Sequence, residues 1–294
     1  MKSTQELRMS LSLSVLGSGS GGNCTLVVLH DRAEPRIILI DAGLSPQETA
    51  NRLGPLGYRL TQISDILVTH TDHDHLHRGW AKSKRCGDFI WRVSRRHLGE
   101  AVAAGIPARC LEPFDERFRL DERTPIEAIA LPHDALGTMG LLIGHGAVRL
   151  GYVTDLGRVP PSLLRAFTDL DALAIESNYD RAMQQASDRP DFLKQRIMGG
   201  LGHLSNEQSL DAVLTMARSG SLQHVVLLHL SRHCNDPQLV QQLYAKQAPH
   251  LLGRLTISNQ YAATPMLHVT GPAGSADHPE RAGRQLNFLE TRQG

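Results

Sequence analysis

The sequence carries its densest chemistry at His70, Asp72, His73, Asp74 and His75, a run of imidazoles and carboxylates broken only by Thr71. Side chains of these types at this density are ligands for divalent metals of borderline-to-hard character. A His/Asp-rich surface loop that merely picks up metal is the competing reading. Three further metal-competent residues stand elsewhere after apolar runs. His133 follows residues 126–131, Asp155 follows 148–154, and His229 interrupts 225–230. A lone histidine in an apolar run is usually a satisfied core group. Four metal-competent positions after four apolar runs point instead to one crevice at the ends of strands.

The elements that must aim these side chains are legible in outline. Residues 11–16, 24–29, 36–40 and 63–69 read as strands, with a Gly/Ser loop at 17–23. A short helix is expected over 47–53, after Ser45 and Pro46 as cap and first-turn proline. Further strands are expected at 89–93, 126–131, 140–143, 148–154, 172–176, 225–230 and 255–258. Helices are expected at 95–104, 161–167, 209–219 and 237–247. Strands and helices alternate through both halves, which predicts a layered α/β protein rather than an all-β sandwich. No tandem repeat or break in composition divides the chain. One domain is expected over 1–270, with a polar tail at 271–294.

Composition narrows the class further. The chain has 294 residues and 41% hydrophobic content, enough for a sizeable core without staples. The formal charge of +1 excludes a globally basic nucleic-acid-coating protein but leaves room for a local basic groove. Residues 78–97 supply one in prospect, with Arg78, Lys82, Lys84, Arg85, Arg92, Arg95 and Arg96 against only Asp88. Such a stretch is either a polyanion track or a solvated face. The four cysteines (Cys24, Cys86, Cys110, Cys234) are scattered with no C-x-x-C, so no disulfide framework or cysteine zinc site is expected. No apolar run is long enough for a membrane span and residues 1–15 lack a signal-peptide core; a reducing cytoplasm is the expected compartment. The glycines at 17–22 fit no Walker or Rossmann spacing.

The chain resembles the metallo-β-lactamase fold, and in detail the single-domain YycJ/WalJ-type exonucleases. The resemblance spans roughly residues 11–262. It rests on LGSGSGGNCT at 16–25, LIDAG at 39–43, the 70–75 cluster, HDA at 133–135, GYVTDLG at 151–157, ESN at 176–178, LKQRI at 193–197, GHLSN at 202–206 and HLS at 229–231. The ESN and GHLSN segments are also similar to RNase Z-type transfer-RNA nucleases. The implied architecture is an αββα sandwich of four layers with metals at one edge. The implied activity is a 5′-to-3′ DNA exonuclease with a binuclear metal centre. DNA is favoured over RNA as the nucleic-acid substrate, and no membrane partner is implied.

The resemblance also implies roles. His70, Asp72 and His133 would hold one metal and Asp74, His75 and His229 the other, with Asp155 between them. A metal-bound hydroxide, oriented by Asp74, would attack the phosphodiester. Glu176 would set the tautomer of His203, and His203 would protonate the leaving oxygen. Asp41 is expected to brace a ligand rather than bind metal. Ser18, Asn23, Asn178, Tyr179, Ser205, Asn206, Lys194 and Arg196 are expected to line the substrate path, with Tyr179 stacking a terminal base. Two positions depart from the family pattern. Asp72 replaces the second histidine of H-x-H-x-D-H, which hardens the site and moves preference from Zn2+ toward Mn2+ or Fe2+. Tyr179 replaces a histidine. His73 is expected to face away from the cluster. Other hydrolases on this fold remain the alternative: cyclic-nucleotide phosphodiesterases, thioesterases, lactonases and β-lactamases. So does a degenerate protein that binds metal without turnover.

Overall fold

The computed structural model describes residues 9–31, 34–219 and 222–271. The expected tail beyond residue 271 lies outside the described residues. The first half builds β1 (Ser10–Gly17), β2 (Cys24–His30), β3 (Arg36–Ile40), β4 (Ile63–Val68), β5 (Ile90–Ser94) and β6 (Leu111–Phe114). The second builds β7 (Arg117–Asp121), β8 (Thr124–Leu131), β9 (Thr138–His145), β10 (Val148–Val153), β11 (Ala172–Glu176), β12 (His224–Leu228) and β13 (Leu255–Ile257). A last strand, β14 (Leu267–Thr270), returns to the first sheet and pairs antiparallel with β1. Two seven-stranded sheets result, ordered β14-β1-β2-β3-β4-β5-β6 and β13-β12-β11-β10-β9-β8-β7.

Strand periodicity divides the apolar residues between layers. Leu11, Leu13 and Val15 of β1, Ile38 and Ile40 of β3, and Val226 and Leu228 of β12 meet between the sheets. Their neighbours Ile37 and Leu39 face outward, against α1 (Pro46–Leu53) and α2 (Leu98–Ala103). Val225 and Leu227 face the other way, against α3 (Pro161–Ala166), α6 (Asn206–Met216) and α7 (Pro237–Gln247). Both faces of each sheet are therefore covered, which explains the near-continuous apolar runs of the central strands. The architecture is the αββα sandwich that the motif order implies. Among the described residues, no helix is long and apolar enough to cross a membrane.

The sequence reading missed several short elements: β6, β7, β14, α4 (Arg181–Ala186) and α5 (Asp191–Met198). The helix expected at 209–219 starts earlier. Ser205 caps it, accepting from the Gln208 amide while the Gln208 side chain accepts from the Ser205 amide.

One charged group is buried on the inner face of the first sheet, the face that carries Ile38 and Leu67. Asp65 on β4 accepts from Arg36 Nη2 at 2.6 Å on one neighbouring strand and from Arg92 Nε at 2.8 Å on the other. Arg92 continues the ladder to Glu112 Oε2 at 2.6 Å. Replacing Asp65 with alanine takes the shared buried carboxylate from both guanidinium groups, leaving Arg36 with the Leu120 carbonyl and the buried Arg92 with Glu112. Asp65→Ala is expected to cost about 3–5 kcal/mol in urea unfolding, whereas Glu112→Ala, at the exposed end, costs about 1 kcal/mol or less.

Candidate metal centre

The candidate residues stand where strands run out. Asp41 follows β3, His70 follows β4, His133 follows β8, Asp155 follows β10, Glu176 ends β11 and His229 follows β12. β3 and β4 are parallel, as are β10, β11 and β12, so their carboxyl ends open on one edge of the sandwich. Asp41, Asp155 and His229 take φ values of 62°, 52° and 55°. Non-glycine residues seldom adopt this left-handed region, and here it turns three polar side chains back over the sheet edge.

The 70–76 segment is docked on the turn after β3. The amides of His75 and Leu76 both bond to Asp72 O, and the amide of Ala42 bonds to His75 O. The Asp74 carbonyl accepts from the Asn23 amide at 2.7 Å. It lies so close to Gly43 that a Cβ there would sit 1.7 Å from it.

Five imidazoles close a ring around Asp155. Successive ring centroids are 4.0 Å apart for His70–His75, 6.0 Å for His75–His229, 5.2 Å for His229–His203, 5.4 Å for His203–His133 and 5.3 Å for His133–His70. Asp155 Oδ2 lies 2.5 Å from His75 Nε2, and Asp155 Oδ1 lies beside His229 Nδ1. Asp74 Oδ2 is 3.5 Å from His229 Nε2, and Asp72 Oδ2 is 3.8 Å from His70 Nε2.

The outer nitrogens of three histidines are engaged elsewhere. His75 Nδ1 pairs with Asp41 Oδ2 at 2.8 Å, and His133 Nδ1 with Gly202 O at 3.1 Å. His70 Nδ1 meets the hydroxyls of Thr69 and Thr138 at 3.1 and 3.3 Å. Each ring thereby keeps Nε2 on the cluster side.

This donor set fits a divalent cation. Donor atoms of His70, Asp72 and His133 lie within 4.8 Å of one another, as do those of His70, His75 and Asp155, and those of Asp155, Glu176, His203 and His229. Asp155 Oδ1 is buried and makes no well-formed hydrogen bond, its close neighbours being the Nδ1 atoms of His229 and His203; a cation would satisfy it. The charges differ from ligand to ligand. Burial opposes the cations of His75 and His229, but Asp41 and Asp155 beside the first and Asp155 beside the second hold both well above the usual histidine value in the metal-free chain. Burial, reinforced by the charge of His75, pushes the His70 imidazole well down from its usual value, toward the neutral form that ligates. Burial opposes charge on Asp155, but His229 and His75 hold its carboxyl well below the usual range.

Glu176 is fully buried and ties the ring together. Its Oε1 takes His203 Nδ1 at 2.7 Å and His229 Nδ1 at 3.2 Å, while Oε2 accepts from the amides of Leu156 and Leu204. Burial disfavours the His203 cation, but Glu176 and Asp155 overcome this and lift its pKa to about 9. Asp41, as expected, touches His75 and Thr69 and stands outside the ligand sets. His73 faces solvent with its side chain 84% exposed.

The residues expected to line a substrate path are mostly structural. The Ser18 hydroxyl donates to Asn23 Oδ1 and accepts the His229 amide. Asn23 Nδ2 sits 2.9 Å from His75 Nε2. Asn178 Nδ2 donates to His229 O, Ser205 caps α6, and Asn206 bonds to Ser177 and Asn235. All are buried, so they shape the site from behind. Tyr179 is only 1% exposed and offers no face to a base, which corrects that expectation. Lys194 donates to Gln185 O, away from the cluster. Arg196 alone of this group reaches the rim, donating to Asp134 beside His133 at 2.6 Å. The basic stretch is also reduced: Arg92 is spent on Asp65 and Glu112, Arg85 on Asp88 and Arg95 on Asp115. Sequence reasoning missed Thr69, Thr138 and Asn235. Only Thr69 carried a signal, by preceding His70.

A two-sheet sandwich with this cluster at one edge defines a metal-dependent hydrolase. The beta-lactamase superfamily domain matches residues 36–230, and the chain belongs to that superfamily. It is 29% identical over 248 residues to the exodeoxyribonuclease YycJ of Bacillus anthracis, covering 79% of this chain and 87% of that one. It is 25% identical over 242 residues to the exodeoxyribonuclease WalJ of Streptococcus pneumoniae, covering 80% and 87%. The short form of human tRNase Z shares the fold, with a TM-score of 0.54 at 14% identity over 86% of this chain and 98% of that structure.

Two outcomes follow from this geometry. Gly43→Ala forces a Cβ into the Asp74 carbonyl, so it is expected to displace the 70–76 segment. Equilibrium dialysis would then show metal content at least halved although every ligand remains. His203 holds a proton in the folded chain between its ordinary value of 6.5 and about 9. The stability this contributes is complete below the lower value and is lost as pH rises through the upper one. In histidine NMR titration of the metal-free chain, Glu176→Gln is expected to bring the His203 midpoint down toward or below 6.5.

Proposed function

We propose that the chain is a binuclear-metal phosphodiesterase that removes nucleotides from DNA in the 5′-to-3′ direction. What carries this reading is His203, bonded through Nδ1 to the buried Glu176 at 2.7 Å at the edge of the seven-residue ligand cluster, in a chain similar to two exodeoxyribonucleases. An acid beside a metal cluster suits a substrate with a poor alkoxide leaving group, and a phosphodiester is one.

In this reading His70, Asp72 and His133 would hold one cation and Asp74, His75 and His229 the other, with Asp155 beside both sets. Bound there, the cations would supply Lewis-acid polarisation of the phosphoryl oxygens and a more acidic water at neutral pH. Asp74 orients the attacking water in line with the scissile bond. Glu176 keeps His203 charged, and His203, with Nδ1 committed to Glu176, presents its Nε2 proton to the leaving oxygen. Arg196 and the exposed Arg78, Lys82, Lys84 and Arg96 lead the phosphate backbone toward the edge. Asp72 in place of an imidazole makes the first position harder, favouring Mn2+ or Fe2+ over Zn2+.

Metal-loaded protein is expected to shorten end-labelled DNA, and His70→Ala to abolish this. If loaded wild-type protein leaves every oligonucleotide intact, the nuclease reading fails. His203→Ala is expected to slow DNA cleavage about 10²–10⁴-fold. It should slow bis(4-nitrophenyl) phosphate far less, because that leaving group departs without a proton. Asp72→His is expected to shift the activating metal toward Zn2+ in a metal series.

A further inference from the structure

The chain has few aromatic residues, 4% in all, and most are spent in the core. Tyr261 is an exception. It is 71% exposed, yet the loop that carries it is fastened at several points. Asn259 Oδ1 accepts the amides of both Tyr261 and Ala262, at 2.8 and 2.9 Å. The Gln260 side chain accepts from the Gly21 amide and donates to Gly22 O, and Arg52 donates to Gln260 O. A Cβ at Gly19 or Gly21 would lie 2.9 Å from Gln260 Oε1, so the glycine loop is shaped to admit this side chain.

The same fastening leads straight to the metal centre. The Ser18 amide donates to Asn259 O at 3.1 Å, and the Ser18 hydroxyl accepts the His229 amide at 2.8 Å. Tyr261 is thus joined to a ligand candidate through two residues. Arg232, three residues after His229, is exposed and donates to Tyr261 Oη at 3.4 Å. An exposed aromatic held on a fixed loop, with a guanidinium at its edge, has no packing role to explain it. It pre-forms a flat apolar face and a phosphate contact, tied to the His229 turn through Asn259 and Ser18.

We propose that Tyr261 and Arg232 form the substrate-positioning platform of this site: a nucleobase adjoining the scissile phosphate stacks on the Tyr261 ring, and Arg232 meets the neighbouring phosphate. This deepens the nuclease reading and rests on it. Stacking is tolerant of base identity, so the platform suits a processive or sequence-indifferent enzyme. It takes the part that the buried Tyr179 cannot.

The test compares the holoenzyme with Tyr261→Ala, Tyr261→Phe, Tyr261→Trp and Arg232→Ala on DNA and on bis(4-nitrophenyl) phosphate. Tyr261→Ala is expected to raise KM for DNA about five- to hundredfold, with kcat changed much less. Its rate on the small diester stays at the wild-type level. Phenylalanine and tryptophan restore DNA cleavage to within about threefold, a rescue that loss of folding would not permit. Arg232→Ala lowers the slope of log KM against log salt by about one. A phosphorothioate oligonucleotide with terminal 2-aminopurine reports stacking directly. Its fluorescence is quenched by the wild type and by Tyr261→Phe but not by Tyr261→Ala. DNA cleavage and quenching unaffected by Tyr261→Ala overturn the platform while leaving the nuclease reading in place. Turnover of the small diester with neither DNA cleavage nor quenching by the wild type overturns both.

Discussion

A single buried carboxylate, Asp41, fixes the geometry on which the metal centre depends. It takes the Nδ1 proton of His75 and both the amide and hydroxyl of Thr69. The Thr69 hydroxyl in turn meets His70. Two ligand candidates are therefore aimed by one group that stands outside the ligand sets. Burial raises the Asp41 carboxyl pKa, and the charge of His75 together with its hydrogen bonds counters that. The backbone at Asp41 is left-handed, so the brace is itself held under strain by the strands around it. Glu176 does the equivalent for the other half of the cluster, where His203 and His229 share its Oε1. The two acids hold four of the five imidazoles between them, and the Gly202 carbonyl holds the fifth, His133.

The central strands and the ligand cluster were legible because both rest on local pattern. An apolar run ended by histidine or aspartate signals a buried strand with a polar tip, and β4, β8, β10 and β12 carry that signature. What escaped the sequence was tertiary. α5 has no buried residue, so its sequence shows no apolar stripe to detect. β14 is a four-residue strand whose partner lies some 250 residues away. The capping box of α6 was readable at Ser205 and Gln208, but the GHLSN resemblance drew Ser205 into a substrate role. Tyr179 failed for the same reason: proximity in sequence to Glu176 says nothing about which way a ring points.

The basic stretch shows how charge counts mislead when partners are distant. Arg92 looked like part of a cationic track, yet it completes a ladder with Asp65 and Glu112 across neighbouring strands. The cations left at the surface are fewer, and Arg78 among them stands three residues after His75. The near-neutral chain thus separates its charges into an anionic crevice, internal ladders and a thin cationic margin.

The strand β14 clasps the molecule at the end opposite the crevice. It pairs with β1 at Ser10 and Thr270, while Gln223 and His224, at the foot of β12, bond to its carbonyls. The crevice draws Asp41 and His70–His75 from one sheet, and His133, Asp155, Glu176, His203 and His229 from the other. Joined by β14 at one end and by shared donors at the other, the halves make the site a gauge of how they are mated. Sliding one sheet past the other by a single residue, about 3.3 Å, would leave each sheet intact and ruin the fit of every donor. Secondary structure would survive such a slip unnoticed; the crevice would not.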